Sequence, residues 1–595
     1  MKAMYKRTVF LLLLCSGGIP GAQAQDDIQA QVLTRLQEVT SIARGGAADL
    51  ALRIMDLEQP AFADAPDEWL QWERERIIIL RSRKAWPAIN ARLSNVPDGV
   101  SEAFLRWART TQVQTLLEMG DGALARQAIR DFIWHAESPP AADELSFWRQ
   151  LLVRAYLADD MLEDAQHTIA RYQQDYRSET GEWANLQARL YLRAGRPGDA
   201  LLVLREYAEP ESHVLRLLAL LWSGRQSPGT IMEQAVKFGL DQELDESLRY
   251  DAWGIAAAAA DAIGNQEARI AALERALLLE KPRGTRLIEL SSETLWDAYV
   301  KFGEAIGNEL QLIVGNDEDW FLAASNRFDT QPIHARALFS VVAFKAFNRG
   351  RREVAHWQFS SLLNNEAHGG EVLRRLYLFS DRFADAAAIP PQVRYILVNH
   401  VLAIPDIPSA SNLMAGLRKP PEEADPGEWY LRQARVFLLG GRADEGIQVL
   451  QDLLASDYPV SLDRLLQVIF DLQVIERHNE ALQFFQVLLS NDLERQQRRE
   501  ILFWTADSLK ALGRHEEAGR MYLQSAVLPD PFAMDPWAQT ARYHAAESLA
   551  LAGFTEDAHT LYTGLLNATR DPSRQAVLRN NIQQLMLSSQ GREGG

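Results

Sequence analysis

Eleven histidines, an acidic trio and a single cysteine are the side chains of this sequence with the most obvious chemical use. Holding zinc takes two imidazoles on one helix face, yet no His-Glu-x-x-His pair or other compact ligand spacing occurs, so most of the histidines read as helix-surface residues. Asp317, Glu318 and Asp319 offer the oxygen ligands of a hard cation, but their spacing is not that of a calcium loop and the distal glutamate is missing. Directly before Trp320 and Phe321, they fit a helix N-terminus, where carboxylates cap the backbone and meet the positive end of the dipole. A Gly-rich phosphate loop, a Gly-x-Ser-x-Gly elbow and a Ser-x-x-Lys signature are all absent from the sequence. The expectation is a chain without catalytic residues, without cofactor and without metal.

One enzymatic alternative is weighed against it. Glu-Ser dipeptides occur at Glu137, Glu246 and Glu547, and such a pair is similar to the catalytic one of soluble lytic transglycosylases, which also carry a long periplasmic α-superhelix. The Gly-Leu-Met-Gln-like segment that follows it in that family is absent here. Glu547 falls inside the helix before Gly553. A lone carboxylate on such a helix lacks both the apolar pocket that raises a general acid's pKa and a second group for glycoside cleavage.

The N-terminus predicts export. Lys2, Lys6 and Arg7 precede an apolar run from Val9 to Cys15, then come Gly17, Gly18 and Pro20, and Ala22-Gln23-Ala24 offers a cleavage site after Ala24. The run is shorter than the roughly 20 residues of a membrane span. Leu14 before Cys15 speaks against a lipid-anchored cysteine. Cys15 would leave with the signal, so the mature chain would hold no disulfide, thiol nucleophile or zinc-thiolate site. The expected location is periplasmic, with no integral membrane segment after cleavage. A formal charge of -18 argues against nucleic acid or anionic lipid as the main partner.

The elements that would position any site follow from a repeat. A turn residue is followed five positions on by a small residue and nine positions on by a large apolar one, at Gly46/Ala51/Met55, Gly120/Ala125/Ile129, Asp160/Ala165/Ile169, Gly195/Ala200/Leu204, Gly350/Ala355/Phe359, Gly441/Gly446/Leu450, Glu476/Ala481/Phe485, Gly513/Ala518/Tyr522 and Gly553/Ala558/Tyr562. Where both are clear, successive small residues stand 35 to 40 positions apart. That is close to the period of about 34 of helix-turn-helix arrays. Glycine can take positive φ at the end of helix A. The small residue lets helix B approach its neighbour. The large residue shares its face, and Tyr156, Tyr191, Phe437, Leu472 and Leu549, four before the turn, meet it.

Leu190-Tyr191-Leu192-Arg193-Ala194-Gly195 with Asp199-Ala200, and Ala511-Leu512-Gly513-Arg514-His515-Glu516-Glu517-Ala518, resemble the tetratricopeptide repeat family; Leu273-Glu274-Arg275-Ala276-Leu277 with Pro282 looks like the closing segment of such a repeat. The resemblance implies an all-α fold, an α-α superhelical solenoid of helix-turn-helix repeats whose inner helices line a groove for proteins or peptides. Around Gly224 and Gly229 the five-residue step is lost. The expected organisation is a signal over 1–24, an N-terminal array over 25–280, an irregular helical middle over 281–426 ending in a Pro-rich hinge from Pro405 to Pro426, a C-terminal array over 427–587 and a disordered tail over 588–595.

Side chains six before the turn, on helix A, should point into the groove: Arg154, Arg189, Arg435, Phe470, Asp507 and Glu547. One helical turn away are Asn185, Phe503, Lys510 and Tyr543. The cationic first group suits the N-terminal groove to an acidic segment. These expectations add up to a non-enzymatic scaffold that binds partner proteins in an envelope complex. The alternatives are the lytic-transglycosylase-like enzyme and a homo-oligomeric structural spacer.

Overall fold

The computed structural model describes residues 35–593 apart from 136–140, 176–179, 280–286, 308, 529, 531 and 533. The expected signal over 1–24 with its Ala24 cleavage site, Glu137 and Pro282 lie outside the described residues. Those that are described form helices and turns with no strand, and no helix among them is long and apolar enough to cross a membrane. The chain divides into two compact units, Met1–Ala298 and Tyr299–Gly595.

Each unit is a stack of helical hairpins. In the first, helix A and helix B of successive hairpins include Glu102–Met119 with Gly122–His135, Ala142–Ala158 with Leu162–Asp175, Gly181–Arg193 with Pro197–Val203, Pro210–Ser223 with Pro228–Leu240 and Glu246–Ala262 with Gln266–Leu278. Every helix A in this run packs against the helix A of the next hairpin as well as against its own helix B. In the second unit the regular hairpins are Pro426–Leu439 with Ala443–Leu454, Leu462–Val474 with His478–Leu489, Arg495–Ala511 with His515–Val527 and Pro536–Ala552 with Thr555–Ala568. This is the α-α solenoid fold of tetratricopeptide-like hairpins.

The turn residue does what its position requires. Gly46, Gly120, Gly195, Gly441, Gly513 and Gly553 all have positive φ. So do Asp160, at 57°, and Glu476, at 61°. The amide after the turn then donates back to the carbonyl of the residue four before it, as from Arg514 to Leu509 (2.9 Å), Arg477 to Leu472 (2.8 Å) and Met161 to Tyr156 (2.9 Å). This closes the end of helix A in a Schellman motif and satisfies a carbonyl the helix cannot.

The seam follows as expected. Ala51, Ala125, Ala165, Ala200, Ala355, Ala481, Ala518 and Ala558 are buried, and so is each large residue four positions on, from Met55 to Tyr562. A Cβ on Gly446 would stand 2.9 Å from the Ala434 carbonyl oxygen of the preceding helix, so glycine there permits the close crossing. Burying each large side chain contributes about 1.5–3 kcal/mol.

Several expectations are corrected. Gly350 is not a turn; it lies inside Arg349–Asn364, where Asn348 caps the helix by accepting the Arg351 amide at 3.1 Å. Helix B after Gly224 starts at Pro228, four residues on, whereas Pro197 starts one two residues after Gly195; the longer loop delays the seam so that Ile231 and Ala235 are buried instead. The Pro-rich stretch lies inside the second unit and is not the boundary between units. Two of its prolines start helices, Pro408 in Ile407–Met414 and Pro426 in Pro426–Leu439, where a missing amide costs nothing. The middle is helical across Pro332–Lys345, Arg349–Asn364 and Gly369–Leu378, with shorter pieces such as Glu309–Ile313 and Ala386–Ala388 beside them. The last helix runs from Pro572 to Glu593, so the backbone of the expected tail is helical as far as 593.

Candidate interaction surface

The acidic trio does not cap its helix through Asp317. That side chain makes no capping bond, is buried and contacts Arg351, while Glu318 and Asp319 occupy the first turn of Glu318–Arg327 as the dipole favours. Among the described residues no cluster of three or more His, Cys, Asp or Glu side chains is placed to hold a metal ion. His356 departs from the surface reading: it is buried against Phe344, Tyr377 and Phe383, its Nδ1 lies 3.0 Å from the Tyr377 hydroxyl, and burial followed by the Arg352 charge pushes its pKa down to about 4.

The ten side chains expected to line a groove divide into three groups. Asn185 and Phe503 are buried and face no groove. Asn185 Oδ1 accepts from Ser212 Oγ at 2.7 Å, and Phe503 packs against Trp504, Tyr522, Trp537 and His544. Counting one helical turn from a groove residue moved both into the contact between neighbouring helices. A second group spends its charge or polarity on the adjacent hairpin. Arg189 donates to Glu211 Oε1 at 3.0 and 3.1 Å and lies 3.9 Å from Asp251. Burial pushes the Asp251 carboxyl up, against the pull of Arg189. Arg435 meets Asp471 at 2.9 Å, Lys510 meets Glu547 at 2.6 Å, and Asn581 Nδ2 donates to the Tyr543 hydroxyl at 3.2 Å. Asp507 accepts from the Tyr522 hydroxyl of its own hairpin. Phe470, half-buried, stacks beside Trp504 with ring centroids 4.8 Å apart. Arg154 alone of the ten is exposed with no ion-pair partner among the described residues. The expected cationic groove of the first unit is thus reduced to Arg154, since Arg189 is neutralised by the acids beside it.

Glu547 is unfit as a general acid. Burial pushes its carboxyl up, but Lys510 and then His544, at 3.3 Å, outweigh burial and hold it below the usual carboxylate range. Protonating a glycosidic oxygen needs the opposite shift. Glu246 is exposed in the first turn of Glu246–Ala262, without the pocket such chemistry requires.

The sequence reading missed an open, charged cleft in the second unit. Between Pro426–Leu439 and Leu462–Val474, the first helices of two successive hairpins, lies a cleft of about 640 Å3. Glu428, Trp429, Arg432, Arg435, Arg464 and Val468 are among its lining residues. Arg464 is paired with Glu428 and Arg435 with Asp471. Arg432 is half-buried, no ion pair or hydrogen bond engages its guanidinium among the described residues, and burial alone pushes its pKa down. The available signal was that Arg432 stands three residues before Arg435, on the same helix face.

No protein-family model matches the chain. No curated protein matches it either. Among solved structures it is similar to yeast Tom70, at 11% identity over 82% of this chain and 97% of that one with a TM-score of 0.23. It is also similar to the pentatricopeptide repeat protein PPR10 from maize, at 13% identity over 92% of this chain and 89% of that one with a TM-score of 0.25. PPR10 in complex with an 18-nt psaJ RNA element gives 13% identity, 93% of each chain and a TM-score of 0.26. At such scores neither partner nor activity carries over. The helical-repeat fold rests on the hairpin packing itself.

Proposed function

We propose that this chain is an exported, non-enzymatic scaffold that binds partner proteins in the bacterial envelope. The observation that carries this reading is the open, largely charged cleft between the first helices of two successive hairpins, which holds an arginine without a counter-ion among the described residues. Hairpin stacks expose long helix faces of this kind, suited to a peptide or a partner's helix. The lowered Glu547 carboxyl, with Lys510 beside it, counts against the glycoside-cleaving alternative. The sequence pattern of residues 1–24 and the single cysteine within it support export.

Site-specific photocrosslinking in cells, with the probe at Gln467 in the cleft, tests the scaffold reading. Discrete adducts with one or a few envelope proteins are expected, together with a mature N-terminus at Gln25 on sequencing the exported form. Release of peptidoglycan fragments by the purified chain, lost in Glu547→Gln, would replace the scaffold with the enzyme. Reversible mass growth with concentration in light scattering, without adducts to other proteins, would replace it with a spacer.

A further inference from the structure

Many arginines of this protein are paired with its own acids, often one hairpin away. Arg106 reaches Glu144 at 2.6 Å, Arg126 reaches Asp159 at 2.6 Å and Arg499 reaches Asp535 at 2.9 Å. In a chain with a formal charge of -18, acids for such pairing are abundant. Arg432 has no such pair among the described residues, and it stands in the middle of a cleft. Its guanidinium is partly removed from water, and none of the cleft's own carboxylates engages it: Glu428 is taken by Arg464, and Asp471 beyond by Arg435. A half-buried charge without a partner is a net cost to the fold. Sites that tolerate such a cost are commonly those where a ligand supplies the missing group.

We propose that the cleft between Pro426–Leu439 and Leu462–Val474 binds an acidic segment of a partner polypeptide, with a carboxylate of that segment seated on Arg432. This deepens the scaffold reading and rests on it. Three features select this occupant. The guanidinium fork matches a carboxylate in two parallel hydrogen bonds. The cleft, at about 640 Å3, is far larger than a lone ion needs and has room for a stretch of chain. Glu428 and Asp425 also line it, so a singly charged carboxylate approaching Arg432 meets less repulsion than a multiply charged phosphate monoester or inorganic phosphate would.

The test is fluorescence anisotropy of the purified full chain with a short fluorescein-labelled peptide of alternating glutamate and alanine, and with inorganic phosphate as competitor. Loss of a charge-assisted, two-point contact in Arg432→Gln should weaken peptide binding by at least about tenfold. Arg520→Gln, which removes the same charge from an exposed site outside the cleft, should leave binding unchanged. Because nothing in the fold compensates Arg432, the Gln variant should also keep or raise the denaturation midpoint; a fall would assign the residue a structural role and overturn the proposal. Equal peptide affinity in the parent and Arg432→Gln overturns it, as does no binding by the parent. Displacement of the peptide by phosphate at comparable concentrations overturns the carboxylate assignment. If Arg432→Gln keeps its crosslinked partners in cells, the scaffold reading stands and the seat on Arg432 falls; if the parent captures no partner, the scaffold reading itself falls.

Discussion

At Asp160 and Glu476 the backbone adopts the left-handed conformation in which a Cβ is strained, because the Schellman hydrogen bonds and the buried seam behind them fix the turn. The sites therefore store strain that glycine would release, partly offset by the greater freedom of glycine in the unfolded chain. Glu476→Gly should raise stability by about 0.5–1 kcal/mol in urea titration; the mirror change, Gly513→Ala, should lower it by a similar amount or more. His356 gives a pH test. Its folded pKa of about 4 lies below the unfolded value of 6.5, so between those values the unfolded chain takes up a proton that the folded chain refuses. Stability therefore falls as pH drops from 6.5 to 4, by up to about 3 kcal/mol, and above 6.5 the group contributes no slope. Glu371 titrates in a different window: burial raises it, but bonds from Arg374 and Arg375 prevail and hold it at about 2, so its contribution is lost only as pH falls below 4.5. Replacing His356 with Phe should flatten the dependence between pH 6.5 and 4 in denaturant titrations while leaving the lower window intact.

For the single element, the hairpin, the sequence was largely readable. Small and large apolar residues at fixed steps report burial directly, and each such pair is buried where it was expected. Ala518 illustrates the tolerance: it is fully buried in a cluster with Tyr522, Ala541 and Ala545, so Ala518→Leu should overpack the crossing and cost about 1–3 kcal/mol in thermal or urea unfolding. The pattern failed where loop length changed. At Gly224 the loop is longer, and after Gly264, which does turn with φ of 75°, the fifth position is Arg269 and not a small residue, so the template passed over a real hairpin. At Gly350 the small and large residues were right and the turn was wrong, because burial fixes the seam while several loop forms can deliver it. The candidate surface was less legible still. Whether an arginine six before the turn meets solvent or the next hairpin's acid depends on the rotation between neighbouring helices, which a linear pattern does not encode; hence Arg189 and Arg435 are paired and Arg432, three residues from Arg435, is not.

For the molecule as a whole, stability is a sum over hairpins and their nearest neighbours, as expected of a repeat architecture. Native-state hydrogen exchange should therefore show protection varying by hairpin within each unit, lowest where helices are short, as in Pro197–Val203, and highest in long ones such as Arg495–Ala511. Uniform protection along a unit would contradict this. Charge belongs to the same scale. With acids outnumbering bases, 80 to 62, an acidic partner is repelled at long range and held only where a cation is presented locally.

The cross-hairpin bonds have a consequence for ancestry. Ser212 answers Asn185 at 2.7 Å, Ser508 answers Gln473 at 2.7 Å, and Glu547 answers Lys510 at 2.6 Å. No two of these handshakes use the same pair of residue types. A wall of identical bricks can gain or lose a course without harm, and duplication builds such walls easily. Here these three joints are each cut differently, so removing or shuffling one of their hairpins would strand a buried amide or half a salt bridge. For those hairpins, order is part of what the fold requires.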